Sequence, residues 1–183
     1  KARGVHVTAE VSPHHLLLDD SMITEDDPMM KMNPPLRSPK DRKALIAGLL
    51  DGTIDMIATD HAPHSQKEKS GSMRNAAFGI VGIETAFSLM YTHFVRSGLV
   101  DLNQLIKWMS SQPATVFNLP AGQLKVGHTA DITLMDLNQP YLIKATDFLS
   151  KGKNSPFIGR QVYGRTKLTL VNGSIAYQDG SVE

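Results

Sequence analysis

Seven consecutive residues, Ala58-Thr59-Asp60-His61-Ala62-Pro63-His64, place one carboxylate and two imidazoles within a single short segment. An aspartate can ligate a metal or take a proton, and a histidine can ligate, donate or accept near neutral pH. Ile54-Asp55-Met56-Ile57, entered from the turn Asp51-Gly52-Thr53, is the short β-branched and apolar run of a buried strand. The constellation therefore falls where a strand ends, and in parallel α/β folds the loops after strand C-termini build the active site. The plainer alternative is a polar turn whose aspartate caps a backbone amide and whose histidines face water. The surrounding residues favour the chemical reading.

The elements that must position this loop follow from hydrophobic patterning. Val5 to Val11 alternates and is rich in β-branched residues, predicting a strand that ends near Ser12-Pro13. Met32-Asn33-Pro34-Pro35-Leu36-Arg37 must be extended, because its two prolines forbid helix. Ser38-Pro39-Lys40-Asp41 reads as a helix start, with serine at the cap, proline at the first helical position and an acid at the third. That helix should run to about Leu50 and bury Leu45, Ile46, Leu49 and Leu50. Strand, loop, helix and strand in this order are the rhythm of a parallel sheet. Residues 65–77 are polar and expected to be mobile. A long helix is predicted over about Gly82 to Ser97, buried through Ile83, Phe87, Met90 and Phe94. Another begins at Asp101 with Gln104 completing its cap, and a shorter one begins at Pro113. After Gly122 the texture turns to short β runs, with Asn172-Gly173 a two-residue hairpin signal.

Bulk composition narrows the function classes. The chain has 183 residues, 41% hydrophobic and 20% charged, enough to bury a core, and contains no apolar run that could span a bilayer as a helix. With 19 basic against 18 acidic residues the net charge is +1, and no basic stripe interleaved with aromatics points to nucleic acid. The absence of cysteine excludes disulfides, thiolate catalysis and thiolate zinc sites, and fits a cytoplasmic protein. Any metal must be held by His, Asp, Glu or a modified residue. The opening Lys1-Ala2-Arg3-Gly4 looks like the end of a helix with its C-terminal glycine, which suggests a piece of a longer protein.

Four blocks together carry a resemblance: Thr8-Ala9-Glu10-Val11-Ser12-Pro13-His14-His15-Leu16, Lys31-Met32-Asn33-Pro34-Pro35-Leu36-Arg37, Ala58 to His64, and Phe78-Gly79. They resemble the C-terminal half of the bacterial class I dihydroorotases, in the metal-dependent amidohydrolase superfamily. Gln112-Pro113-Ala114 and Gly127 to Ile132 resemble that superfamily's closing segment. The resemblance implies an α/β fold: the last strands and helices of a TIM (β/α)8 barrel over residues 1–118, and the C-terminal part of a flanking β-sandwich over 119–183. It implies zinc, two ions in the intact site, with every other ligand upstream of Lys1 and only Asp60 present in this chain. Asp60 would ligate zinc, take a proton from the attacking water and return it to the leaving ring nitrogen. Asn33 and His64 would contact dihydroorotate, and the backbone of Phe78 and Gly79 would meet the pyrimidine ring. The implied reaction interconverts dihydroorotate and N-carbamoyl-L-aspartate in pyrimidine biosynthesis, with this segment alone inactive.

Adjacent His14 and His15 also look like ligands, but neighbours in an extended segment point to opposite faces, so at most one could reach a shared metal. The resemblance does not use the pair as ligands, and both are read as supporting residues, as is His61. Two rival readings stand beside the first: a hydantoinase- or allantoinase-type hydrolase, and a non-catalytic partner of aspartate transcarbamoylase. The partners implied are the small-molecule substrate, the missing N-terminal half, a second copy of the chain or aspartate transcarbamoylase, with neither nucleic acid nor membrane.

Overall fold

The structure, a computed structural model, describes residue 1 and residues 3–180. The expected helix end over residues 1–4 includes Ala2, which lies outside the described residues. The chain divides into two compact units, residues 1–86 with 143–160, and residues 87–142 with 161 onward.

In the first unit, β1 (Glu10–Val11) pairs in parallel with β2 (Met56–Ile57), Glu10 opposite Met56 and Val11 opposite Ile57. Asp55 N–H to Ala9 O and Ala58 N–H to Val11 O extend this pairing by one bond on each side. The strand expected from Val5 is therefore shorter. Among the described residues nothing pairs with residues 5–8, and Val5 and Val7 stay exposed, since an unpartnered segment gains no ladder to fix it. Between the strands lie α1 (Pro13–Leu17) and α2 (Pro39–Leu50), which pack on each other. Ser38 and Asp41 form the reciprocal capping box at the start of α2, with Pro39 at its first position. Its buried stripe is narrower than predicted. Only Leu49 is fully buried, Leu45 and Ile46 are half-buried, and Leu50 is exposed, because α1 covers one side of the helix. Leu16, Leu18, Met32, Met56 and Ile57 make the core around the strand pair.

The second unit holds α3 (Ala86–Met90, its first residue in the other unit), α4 (Leu102–Ile106) and α5 (Gln112–Val116). The long helix expected from Gly82 begins only at Ala86, and Tyr91–Val95 continues it in wider π turns. Met90 and Phe94 are buried as predicted, but Ile83 lies before the helix and is exposed. Asp101 caps α4 by accepting the Gln104 N–H. β3 (Ile132–Asp136), β6 (Arg165–Val171) and β7 (Ser174–Gln178) form an antiparallel sheet in the order β3-β6-β7. Asn172 and Gly173 turn β6 into β7 with φ of 51° and 78°, both in the left-handed region that a two-residue hairpin demands. A second short pair joins β4 (Tyr141–Leu142) to β5 (Gln161–Val162). Among the described residues no helix is long and apolar enough to cross a membrane.

Candidate active site

β2 ends at Ile57, and three residues later Asp60 takes a left-handed conformation, φ 49°. Aspartate tolerates this region better than most residues. The turn leaves the Asp60 carboxylate 56% exposed, and neither oxygen has a hydrogen-bond donor among the described residues. The residue caps nothing. It lines a cleft of about 700 Å³ whose wall includes Glu10, Ser12, His15, Asn33, Pro34, Pro35 and Arg37. The cleft therefore brings together two of the predicted site residues, Asp60 and Asn33. Asn33 precedes Pro34 through a cis peptide bond.

His14 and His15 do not lie in extended chain. Pro13 starts a helical turn that carries both rings, their centroids 4.5 Å apart. The two rings nevertheless have separate tasks. Pro34 O can only accept, so His15 Nε2, 2.9 Å away, carries a proton, and His15 Nδ1 accepts from the Ser12 hydroxyl at 2.7 Å. Both ring nitrogens are committed to fastening the Asn33-Pro34 loop to the end of β1. His14 is 2% exposed, and its Nε2 is a buried atom with no hydrogen-bond partner. That atom stands 4.0 Å from Asp60 Oδ2. Burial, and secondarily the neighbouring His15, push the His14 pKa down to about 3. His14 is neutral at working pH and makes no ion pair with Asp60.

The remaining predicted residues form a second cluster along the same loop. His64 Nε2 donates to Phe78 O at 2.8 Å, so the predicted pair is joined directly. The backbone of residues 79–80 lies against the Asp60 segment: Ala62 N–H donates to Ile80 O at 2.9 Å, and His61 bridges Ile80 in parallel. Glycine is required there. Gly79 has φ 94°, and a Cβ would come within 2.6 Å of Ala62 Cβ. Phe78 is 53% exposed and anchors no core. His61 Nδ1 accepts from Gly82 N–H at 3.0 Å and so orders the next turn.

Two residues that sequence reasoning did not single out hold this cluster. Asn154, 3% exposed, accepts the His64 N–H at 2.9 Å and donates to Ala62 O at 2.9 Å and Gly79 O at 3.2 Å. Lys69, 1% exposed, donates to Ala77 O at 3.0 Å and, at 3.4 Å, to Lys31 O. Lys69 ties the 65–77 segment, most of which is exposed, to the Ala77 and Lys31 carbonyls. Neither residue belongs to a recognisable motif. The only sequence cue to Asn154 is the Gly152 before it, where a Cβ would meet His64 N at 2.7 Å.

The donor chemistry of Asp60 fits zinc, for which carboxylate oxygen at about 2.0–2.2 Å is an ordinary ligand. Both of its oxygens are uncommitted and reachable from the cleft. Among the described residues no three His, Cys, Asp or Glu side chains gather into a metal cluster.

The amidohydrolase family profile matches residues 1–176. The chain is 64% identical over 176 residues to a dihydroorotase of Pediococcus pentosaceus, covering 96% of this chain and 41% of that one. It is 63% identical over 178 residues to a dihydroorotase of Lactiplantibacillus plantarum, covering 97% and 41%. Among solved structures, an L-hydantoinase (dihydropyrimidinase) of Arthrobacter aurescens superposes with a TM-score of 0.91 at 32% identity, covering 100% of this chain and 42% of that one. A D-hydantoinase of Thermus sp. gives 0.89 at 28%, with the same coverage. The chain thus spans about two-fifths of the length of the relatives it matches.

Proposed function

The chain belongs to the amidohydrolase family, its solved relatives making it a fragment of a (β/α)8 barrel, and on that premise we propose that the intact protein is a zinc-dependent dihydroorotase. It interconverts dihydroorotate and N-carbamoyl-L-aspartate, a cytoplasmic step of pyrimidine biosynthesis. Within this reading residues 1–118 complete the barrel and residues 119–183 contribute to a β-sandwich. The observation that carries the reading is Asp60: an uncommitted carboxylate at a strand end, opening into a cleft it shares with Asn33, within a sequence 64% identical to a dihydroorotase. The hydantoinases match at 28–32% identity, which favours the dihydroorotase assignment over theirs.

Zinc, when bound, supplies Lewis-acid activation of water and of the amide carbonyl. Asp60 provides one ligand oxygen and serves as the proton carrier. It accepts a proton as water adds to the ring carbonyl carbon, then delivers it to the ring nitrogen as the C–N bond breaks. In the reverse direction the same carboxylate takes the proton from the attacking nitrogen. General base and acid catalysis of this kind contributes about 10²–10⁴-fold. Asn33 and His64 bind the carboxylate and carbonyls of the ring, and the Phe78-Gly79 backbone meets its edge. The buried, neutral His14 beside Asp60 adds no competing positive charge.

The test is dihydroorotate ring opening by the zinc-loaded full-length protein beside its Asp60→Ala variant. Turnover should fall by several orders of magnitude in the variant while folding is retained. Faster turnover of hydantoin or allantoin than of dihydroorotate would reassign the substrate. A well-folded full-length protein that takes up no zinc and has no turnover would support the non-catalytic partner reading.

A further inference from the structure

Lys69 is 1% exposed, a charged side chain buried where, among the described residues, no counter-charge meets it. Burying an ammonium costs several kcal/mol unless an anion or several acceptors receive it. Among the described residues no carboxylate lies within ion-pairing distance of it, and its two acceptors are the backbone carbonyls Ala77 O and Lys31 O. Burial lowers its pKa to about 8, so the charged form still predominates at neutral pH.

What surrounds it explains the expense. From Ala76 O to Gly79 O the backbone polar groups are spoken for. Ala76 O receives Lys31 Nζ at 2.6 Å, Ala77 N–H donates to Glu68 O at 2.9 Å, and Ala77 O receives Lys69. Phe78 O meets His64, Gly79 N–H donates to Lys31 O at 2.9 Å, and Gly79 O receives Asn154. The exception among the described residues is the Phe78 N–H, which has no partner. It belongs to the same peptide unit as Ala77 O, the carbonyl that takes the lysine's charge. A cation on the oxygen of an amide draws electron density from its nitrogen and strengthens the N–H as a donor, as in any polarised hydrogen-bond chain.

We propose that Lys69 is a positioning residue for substrate binding: it fixes and polarises the Ala77-Phe78 peptide so that the Phe78 N–H donates to a carbonyl oxygen of the ring. This rests on the reading that the Phe78-Gly79 backbone faces a cyclic-amide substrate, and it refines that reading, because Gly79 N–H is already engaged and the single available donor is Phe78. Lys31, whose Nζ sits 4.3 Å from the Phe78 ring centroid, contributes to the same charge. The role separates from a purely structural one. Replacing the buried ammonium by an apolar side chain of similar length removes its desolvation cost but leaves Ala77 O without a donor, so Tm reports the structural role and KM the polarising one.

The experiment compares the full-length zinc-loaded protein with its Lys69→Met and Lys69→Gln variants, measuring kcat and KM for dihydroorotate together with Tm. Lys69→Met should raise KM about tenfold, the loss of one charge-strengthened hydrogen bond, with kcat changed less than about threefold in a variant that remains folded. Lys69→Gln, which keeps amide hydrogens for the two carbonyls but no charge, should resemble Lys69→Met. A KM equal to that of the unmutated protein in either folded variant overturns the inference and leaves the dihydroorotase reading standing. A glutamine variant that restores KM fully shows that bonding without charge suffices, and overturns the polarising role. Should the methionine variant not fold, the glutamine variant decides by the same KM criterion. No turnover of dihydroorotate by the unmutated protein defeats the underlying reading, and this inference with it.

Discussion

His14 is the residue whose burial makes the most direct demand on pH. Its folded pKa lies at about 3, far below the ordinary 6.5, so between those values the unfolded chain binds a proton that the folded one refuses. Stability rises with pH wherever the unfolded state binds more protons. The contribution of His14 is therefore fully present above about pH 6.5 and is lost as pH falls towards 3, with a slope approaching 1.4 kcal/mol per pH unit for the one proton. Denaturant unfolding of the zinc-free full-length protein at pH 7, 5.5 and 4.5 measures it, and a His14→Gln variant should be flatter by that slope. Equal pH dependence in the two proteins would show that His14 accepts a proton in the folded state. The position of Asp60, a carboxylate just past a strand end and facing a cleft, was open to sequence reasoning. The separate tasks of His14 and His15 were not. Neighbouring identical rings differ here only because one helical turn sends one ring to Ser12 and Pro34 O and leaves the other buried without a partner.

Elements with strong local signals formed as the sequence implied, and those that depend on neighbours did not. The α2 capping box and the Asn172-Gly173 turn are decided by a few adjacent residues. The extent of β1 and the buried face of α2 depend on what packs against them, which periodicity cannot state. The 65–77 segment shows the same limit from the other side, because its polar composition gave no sign that Lys69 would be buried against the Ala77 and Lys31 carbonyls. Segment 152–154 has no chemical signature at all, yet it presses on the His64 loop: Gly152 stands where a Cβ would be 2.7 Å from His64 N and 2.8 Å from Pro63 Cα. Backbone cannot yield as a flexible side chain can. Gly152→Ala should consequently cost on the order of 1–3 kcal/mol of stability and displace the loop carrying His64. In the full-length protein we expect KM for dihydroorotate to rise with zinc content unchanged, checked by steady-state kinetics and metal analysis. An alanine variant with unaltered Tm and KM would mean that the two segments part without consequence for the site.

At the scale of the whole chain, the parts of the proposed site are unevenly supplied. The groups proposed to face the substrate lie in one unit: Asn33, His64, and the Phe78-Gly79 backbone with Asn154 and Lys69 bonded to it. Metal-binding groups are fewer, because Asp60 is the one ligand that the family resemblance places here, and among the described residues no three such side chains converge. A single carboxylate in an open cleft holds zinc weakly, since structural and catalytic zinc sites use three or four protein ligands. Among the described residues the sheet that leads into Asp60 is two strands wide, and parallel pairs of that size are found with further strands and helices around them. Its unpaired edges and the exposed Val5, Val7 and Leu50 are the features that promote association between chains. Residues 1–183 produced alone should therefore bind zinc far more weakly than the full-length protein, show no dihydroorotate turnover, and self-associate as concentration rises. Equilibrium dialysis against zinc, the ring-opening assay and light scattering test the three parts separately. Zinc uptake and turnover by the isolated segment at the full-length level would show that the cleft around Asp60 and Asn33 is a complete catalytic site, and that no ligand from elsewhere is required.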